Sequence, residues 1–139
     1  MRDDNVIEFK SNLKEVTDRI EREIYKALEE ASGAVEAQVK QNQRVDTGQT
    51  KGSWKHYVSA RKHEAYIGSN YENAIWEEFG TGIHALNGNG RKTPWVYTPD
   101  NGKTFYRTKG KKPLRPLYNA MRTMRPKINK YFAKRFKNL

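Results

Sequence analysis

The side chains able to do chemistry are few and scattered. The three histidines, His56, His63 and His84, never stand at the i, i+4 spacing that would aim two imidazoles at one zinc ion from a helix, and no cysteine is present to complete a thiolate site. Glu77 and Glu78 are adjacent, so on a helix they point about 100° apart instead of converging as a hydrolytic carboxylate pair. Glu72 and His84 could join them in a general acid–base cluster, but no further residue pattern supports one. Gly80-Thr81-Gly82 is too short to cradle a phosphate, and the Walker spacing is absent. Ser53 and Thr47 lack the surroundings of an activated nucleophile. The expectation is a protein that is not an enzyme, with no catalytic, cofactor-binding or metal residues and no small-molecule ligand.

Charge is the stronger signal. The chain of 139 residues carries a net charge of +11, and the charge is unevenly placed. Residues 1–30 hold nine acidic and six basic side chains, whereas Lys103 to Leu139 hold thirteen basic ones and no acid. A one-signed block of this kind points to a polyanion or an acidic partner surface. Lys103, Arg107, Lys109, Lys111, Lys112, Arg122, Arg125 and Lys127 are the residues expected to face passing double-stranded DNA or a partner. Aromatic residues interleave with these cations, but Phe132 and Phe136 fall on an apolar helical stripe and read as core, which leaves charge without a base-reading device. His56, on the inward phase of a strand, reads as a core residue, and His63 as a turn residue.

The elements that must position these residues follow from periodicity. Phe9, Leu13, Val16, Ile20, Ile24, Leu28, Ala31, Val35 and Val39 recur at helical intervals, with Asn5 and Glu8 as a capping pair. A straight helix of about 35 residues spans roughly 50 Å, more than the diameter of a domain this small. Either Ser32-Gly33 breaks it, or one end overhangs and packs on another subunit. Trp54, His56, Val58 and Ala60 alternate with polar neighbours as in a half-buried strand, and Glu64 to Ser69 returns as its partner. Tyr71 to Phe79 reads as a short helix in which Phe79 anchors to the sheet. Residues 80–93, rich in glycine, read as a mobile loop. Trp95 to Thr98 and Thr104 to Arg107 flank the turn Pro99-Asp100-Asn101-Gly102. Pro113 and Pro116 open a final helix whose stripe runs from Leu117 to Phe136, with Pro126 a candidate kink. The expected fold is α+β: a long N-terminal helix, a small antiparallel sheet of two hairpins with a short helix between, and a C-terminal helix, in one domain over residues 1–139.

Three landmarks occur in order: Val45-Asp46-Thr47-Gly48 with Ser53 five residues on, the run from Tyr71 to Glu78-Phe79-Gly80-Thr81, and Pro113-Leu114-Arg115-Pro116-Leu117. Together they resemble the minor tail or head–tail joining family of siphophages and their prophages, whose members are described as neck or tail-completion components. The resemblance spans roughly residues 5 to 137. It departs from the family at Gln49-Thr50, Ala74-Ile75-Trp76 and Leu117-Tyr118, which bears on the subgroup. The landmark residues read as fold-maintaining: Asp46 and Thr47 for turn hydrogen bonds, Gly48 for a positive φ, Glu78 as a partner for the basic block, and Pro113 and Pro116 to stiffen the helix entry.

The resemblance implies a structural subunit that forms a ring, of sixfold-related symmetry, between the head connector and the tail tube or terminator. It would be monomeric when free, made in the host cytoplasm and carried in the virion, and would have no membrane association. No segment approaches the length of an apolar membrane span, and the opening residues lack the apolar run of a signal peptide. From charge alone, the rival is a stand-alone basic nucleic-acid-binding protein or a small toxin-like ribonuclease. A phage morphogenesis factor absent from the virion is a further alternative.

Overall fold

The computed structural model describes residues 3–44, 48–137 and 139, with side chains from Asn12 onward. Val45, Asp46 and Thr47, and the side chains of Asn5 and Glu8, lie outside the described residues.

Helix α1 runs unbroken over Asp3–Asn42, about 60 Å of rise. Gly33 does not break it, and the Ser32 hydroxyl donates back to the Leu28 carbonyl at 2.6 Å, which satisfies the hydroxyl inside the helix. Of the two readings of this segment, the overhanging helix is the one adopted. A single turn, α2 (Gln49–Gly52), follows Gly48, whose φ of 79° suits glycine. Strands β1 (Lys55–Ser59) and β2 (Glu64–Gly68) pair antiparallel with His56 opposite Ile67, and His63 takes the positive φ of the turn between them. Next come α3 (Glu72–Phe79), a 3-10 turn over Gly82–His84, the strands β3 (Trp95–Tyr97) and β4 (Tyr106–Thr108), and α4 (Pro116–Phe136). The fold is α+β as expected. The two hairpins stay separate two-stranded sheets.

Helix α4 lies antiparallel along α1. At one end the Asn42 amide donates to the Pro116 carbonyl at 3.2 Å; at the other, Arg135 pairs with Glu23 and Glu30. Small side chains at Ala27, Ala31 and Ala120 are buried where the helices face one another, so the backbones approach closely. The core is thin: Val35, Val39, Trp54, Ala74, Ala120 and Met124, flanked by Ala34, Ile67, Leu117 and Ile128. Trp54 is its one large aromatic residue, and its indole N–H donates to the Gln43 side chain at 3.0 Å. Helix α4 continues through Pro126, which is exposed, so the carbonyl four residues earlier can turn to water.

Candidate functional site

The described landmark residues gather at the pole of the molecule where α1 ends. Ser53 closes α2: its hydroxyl donates to the Thr50 carbonyl at 2.6 Å and lies 2.7 Å from the Ser69 hydroxyl at the end of β2. The Asn73 amide donates to the Thr50 hydroxyl at 2.8 Å and so ties α2 to α3. The stretch after Gly48 thus touches the second landmark directly through Thr50 and, by way of the Ser69 hydroxyl that accepts from the Tyr71 amide, through Ser53.

The second and third landmarks form one stitched unit. Glu77 and Glu78, only 1% and 5% exposed, are buried. The Glu77 backbone carbonyl accepts from the Leu114 and Arg115 amides at 2.8 and 3.2 Å, while its carboxylate pairs with Lys111 and, at 3.6 Å, with Arg44. The Glu78 carboxylate accepts from the Leu117 and Tyr118 amides at 2.8 and 3.1 Å, the first-turn donors that α4 cannot satisfy internally. Arg115 occupies the N-cap position with φ 59° and no side-chain cap of its own, so Glu78 supplies the missing acceptor from another element. Arg115 also lies 3.7 Å from that carboxylate and 4.1 Å over the Tyr118 ring.

The segment after α3 is held by the same neighbours. Thr81 and Lys111 exchange bonds, amide to carbonyl at 2.9 Å and amide to hydroxyl at 2.8 Å, and the Ile83 amide donates to the Lys109 carbonyl. A Cβ at Gly82 would fall on the Lys109 carbonyl, and one at Gly80 would meet the Pro113 ring at 2.9 Å. Glycine is required at these positions by close backbone approach as well as by positive φ. Within the 80–93 stretch, expected as a mobile loop, the first half is bonded into the fold, with the Leu86 amide also donating to the Phe79 carbonyl at 2.9 Å.

Burying two carboxylates turns α3 inside out. Ile75 (51% exposed), Trp76 and Phe79 (46% exposed) face outward. The expectation that Phe79 anchors α3 to the sheet is overturned: its ring lines a groove with Ile75, Tyr118 and Leu117, floored by Trp54 and Ala74. Sequence periodicity misses this because the groups that neutralise Glu77 and Glu78 stand more than thirty residues away. The signal that could have revealed it is a glutamate pair inside an otherwise apolar run, in a chain with an unpaired basic block.

His56, read as a satisfied core residue, has partners on both ring nitrogens but is only half-buried. It bridges β1 to α1, with Nδ1 at 3.2 Å from Glu36 and Nε2 at 2.9 Å from Glu29. The bond to Glu29 is the main cause raising its pKa, opposed by burial and reinforced by Glu36. The acid–base cluster weighed for Glu72, Glu77, Glu78 and His84 is not assembled as such, since Glu77 and Glu78 are committed to Lys111 and to the α4 amides. Among the described residues, no group of three or more His, Asp or Glu side chains could hold a metal ion, and no helix is long and apolar enough to cross a membrane.

The residues expected to face DNA or a partner divide in two. Lys111 is drawn into the Glu77–Glu78 junction, where the landmark residue Arg115 also lies. Lys103, Arg107, Lys109, Lys112, Arg122, Arg125 and Lys127 are exposed, the last three on α4. No curated protein and no solved structure matches the chain. A family model does match, over residues 7–80, and its description reads "Bacteriophage HK97-gp10, putative tail-component". The match runs through α1, β1, β2 and α3 to Gly80, more than half of the sequence, and the chain therefore belongs to the HK97-gp10-like family of bacteriophage tail components.

Proposed function

We propose that this structural phage protein is a head–tail joining or tail-completion subunit that assembles as a ring at the neck. It would be made in the host cytoplasm and then built into the particle between the head connector and the tail tube or terminator. The observation that carries the reading is the family match together with two apolar surfaces left bare on a thinly cored fold: the stripe Leu13, Val16 and Ile20 on α1, and Ile75 with Phe79 on α3. A chain that buries so little for itself gains by burying surface against copies and neighbours, and heterologous contacts that close give rings. The exposed cations of α4 would face passing double-stranded DNA or an acidic neighbouring ring.

Light scattering across a concentration series, with and without nucleic acid, tests this. A discrete oligomer indifferent to nucleic acid supports the neck subunit. A strict monomer that binds DNA or RNA tightly at physiological salt supports the stand-alone nucleic-acid-binding protein, a reading favoured by α4, whose charged residues are all basic. Probing purified particles for the chain separates a virion subunit from a morphogenesis factor that leaves before completion.

A further inference from the structure

Helix α3 and the β3–β4 hairpin border an open groove of about 540 Å³, a volume typical of ligand sites. Its walls carry aromatic rings that strand alternation and helical period turn away from the core. Trp95 and Tyr97, two residues apart on β3, share one face of the hairpin with their ladder partners Thr108 and Tyr106, while Val96 and Arg107 take the other. Trp76 lines the same groove from α3, turned out because Glu77 and Glu78 turn in. Trp76 and Tyr97 remain 44% and 48% exposed, so their rings are open to a ligand. The groove is also preformed. Thr81 and Lys111 exchange hydrogen bonds behind it, and the Gly110 backbone lies so close to Thr81 that a Cβ there would fall on the Thr81 carbonyl. Rings held on such a frame need little ordering on binding.

The charged residues lining the groove are Arg91 and Lys111, both basic. Lys111 is neutralised by Glu77. Arg91 meets no carboxylate among the described residues: its Nε donates to the Thr93 hydroxyl at 3.1 Å, and its guanidinium lies 5.7 Å from the centre of the Trp95 ring. An occupant must therefore offer flat faces to the rings and a negative charge to Arg91. Hydrogen bonding narrows the choice further. The Thr81 hydroxyl accepts from the Lys111 amide at 2.8 Å and the Thr108 hydroxyl from the Gly110 amide at 3.0 Å, so both already serve the fold. A neutral sugar, which needs converging hydrogen bonds, fits poorly. An acidic peptide brings charge without flat faces, and a duplex hides its base faces in its own stack. A single strand brings both unstacked bases and phosphates.

We infer that the groove between α3 and the β3–β4 hairpin binds single-stranded nucleic acid, with bases stacked on Trp76, Trp95 and Tyr97 and a phosphate on Arg91. Recognition rests on ring faces and charge, so it tolerates any base sequence. These three rings supply the stacking surface that Phe132 and Phe136 on α4 do not. The groove lies within one chain, so the site is independent of the ring reading and separate from the α4 cations.

The molecule carries its own reporters, because Trp76 and Trp95 line the groove while Trp54 is buried in the core. Tryptophan fluorescence of the full chain is titrated with an oligothymidylate of about twelve nucleotides, a length within known single-strand site sizes. A duplex of the same length and polyglutamate serve as comparisons. The expected result is saturable quenching by oligothymidylate at concentrations where the other two leave the signal unmoved. Tyr97→Ala, at an exposed position, keeps its circular dichroism but weakens binding at least about fivefold, the low end for one base–ring stack. Trp95→Ala does the same, and Trp95→Phe, which keeps a ring, restores binding. Arg91→Gln lowers the slope of log affinity against log salt by about 0.7, the share of one single-strand phosphate. Neutralising Arg122, Arg125 and Lys127 to Gln leaves the oligothymidylate affinity unchanged. No quenching at concentrations up to about 1 mM overturns the site, as does native affinity in Tyr97→Ala. Equal quenching by polyglutamate also overturns it and makes the groove a seat for an acidic protein. A loss of affinity confined to the α4 variant places the strand on α4 and removes the site as well.

Discussion

Glu78 and Leu117 are joined by a hydrogen bond of 2.8 Å that runs from a backbone amide at the start of α4 to a carboxylate on α3, thirty-nine positions earlier in the chain. Tyr118 donates to the other oxygen of the same carboxylate at 3.1 Å. An anion at a helix N-terminus satisfies amides that have no partner in the helix and complements the positive end of its dipole. Here that anion sits among buried groups, so its removal leaves donors stranded away from water. Replacing Glu78 by Ala is expected to cost about 1–3 kcal/mol. The urea midpoint should fall with an unchanged slope, and Glu78→Gln, which keeps one acceptor oxygen, should lose less. An unchanged midpoint for Glu78→Ala would show that water replaces the carboxylate without loss.

The His56 bracket makes a different kind of prediction. Both ring nitrogens face carboxylate oxygens, and both can donate only when the imidazole is protonated. Its pKa is raised above the ordinary 6.5, first by the bond to Glu29. The stabilisation is therefore fully present below 6.5 and is lost as pH climbs through the raised value. Glu36 feels burial, which would raise its pKa, but the His56 bond and the charge of Lys40 outweigh it and hold the group below its ordinary 4.5. Its share is present above 4.5 and is lost as pH falls through the lowered value. The stability difference between the native chain and His56→Gln should accordingly be larger at about pH 5.5 than at about pH 8.5. Denaturant titrations at the two pH values measure it, and equal differences would mean the bracket is broken in solution.

These two clusters show where local reading of the sequence succeeds and where it stops. The α1 stripe, the alternation from Trp54 to Ala60 and the stripe of α4 each repeat with a period that one segment carries alone, so they are legible without knowing what packs on them. The burial of Glu77 and Glu78 has no local cause. It depends on Lys111, on the amides of Leu117 and Tyr118, and on Arg44, all brought in by the path of the chain. Once those carboxylates turn inward, the helical period forces Ile75 and Phe79 outward, against the reading of Phe79 as an anchor. The glycines after α3 are similar. Gly80 and Gly82 look like loop residues by composition, but the backbone of residues 109–111 and the Pro113 ring pressing on them are distant in sequence.

Pro126 offers a change in the stabilising direction. It stands inside α4, exposed, where it removes one hydrogen bond to the Arg122 carbonyl and crowds the preceding turn. An exposed proline gives up little packing when replaced, so Pro126→Ala should stabilise the fold by about 1–3 kcal/mol. The unfolded chain also gains freedom when proline is lost, which opposes this by about 0.4–1 kcal/mol and leaves the net effect stabilising. Thermal unfolding gives the answer. A lowered melting temperature would mean that α4 needs the proline where it stands.

The outer face of α4 separates charge that serves the fold from charge that serves a partner. Arg135 on the inner side is tied to Glu23 and Glu30, with its pKa raised first by the bond to Glu30. Arg122, Arg125 and Lys127 point outward, so neutralising all three to Gln should move stability by no more than about 0.5 kcal/mol each. If these cations lie against duplex phosphates, the same triple variant should bind duplex DNA more weakly. Its plot of log affinity against log salt should lose about 0.9 of slope for each contact removed. Filter binding over a salt series reads both quantities. A slope left unchanged would take this face away from DNA and assign it to an acidic protein neighbour, against which the variant should then fail to incorporate into particles while folding normally.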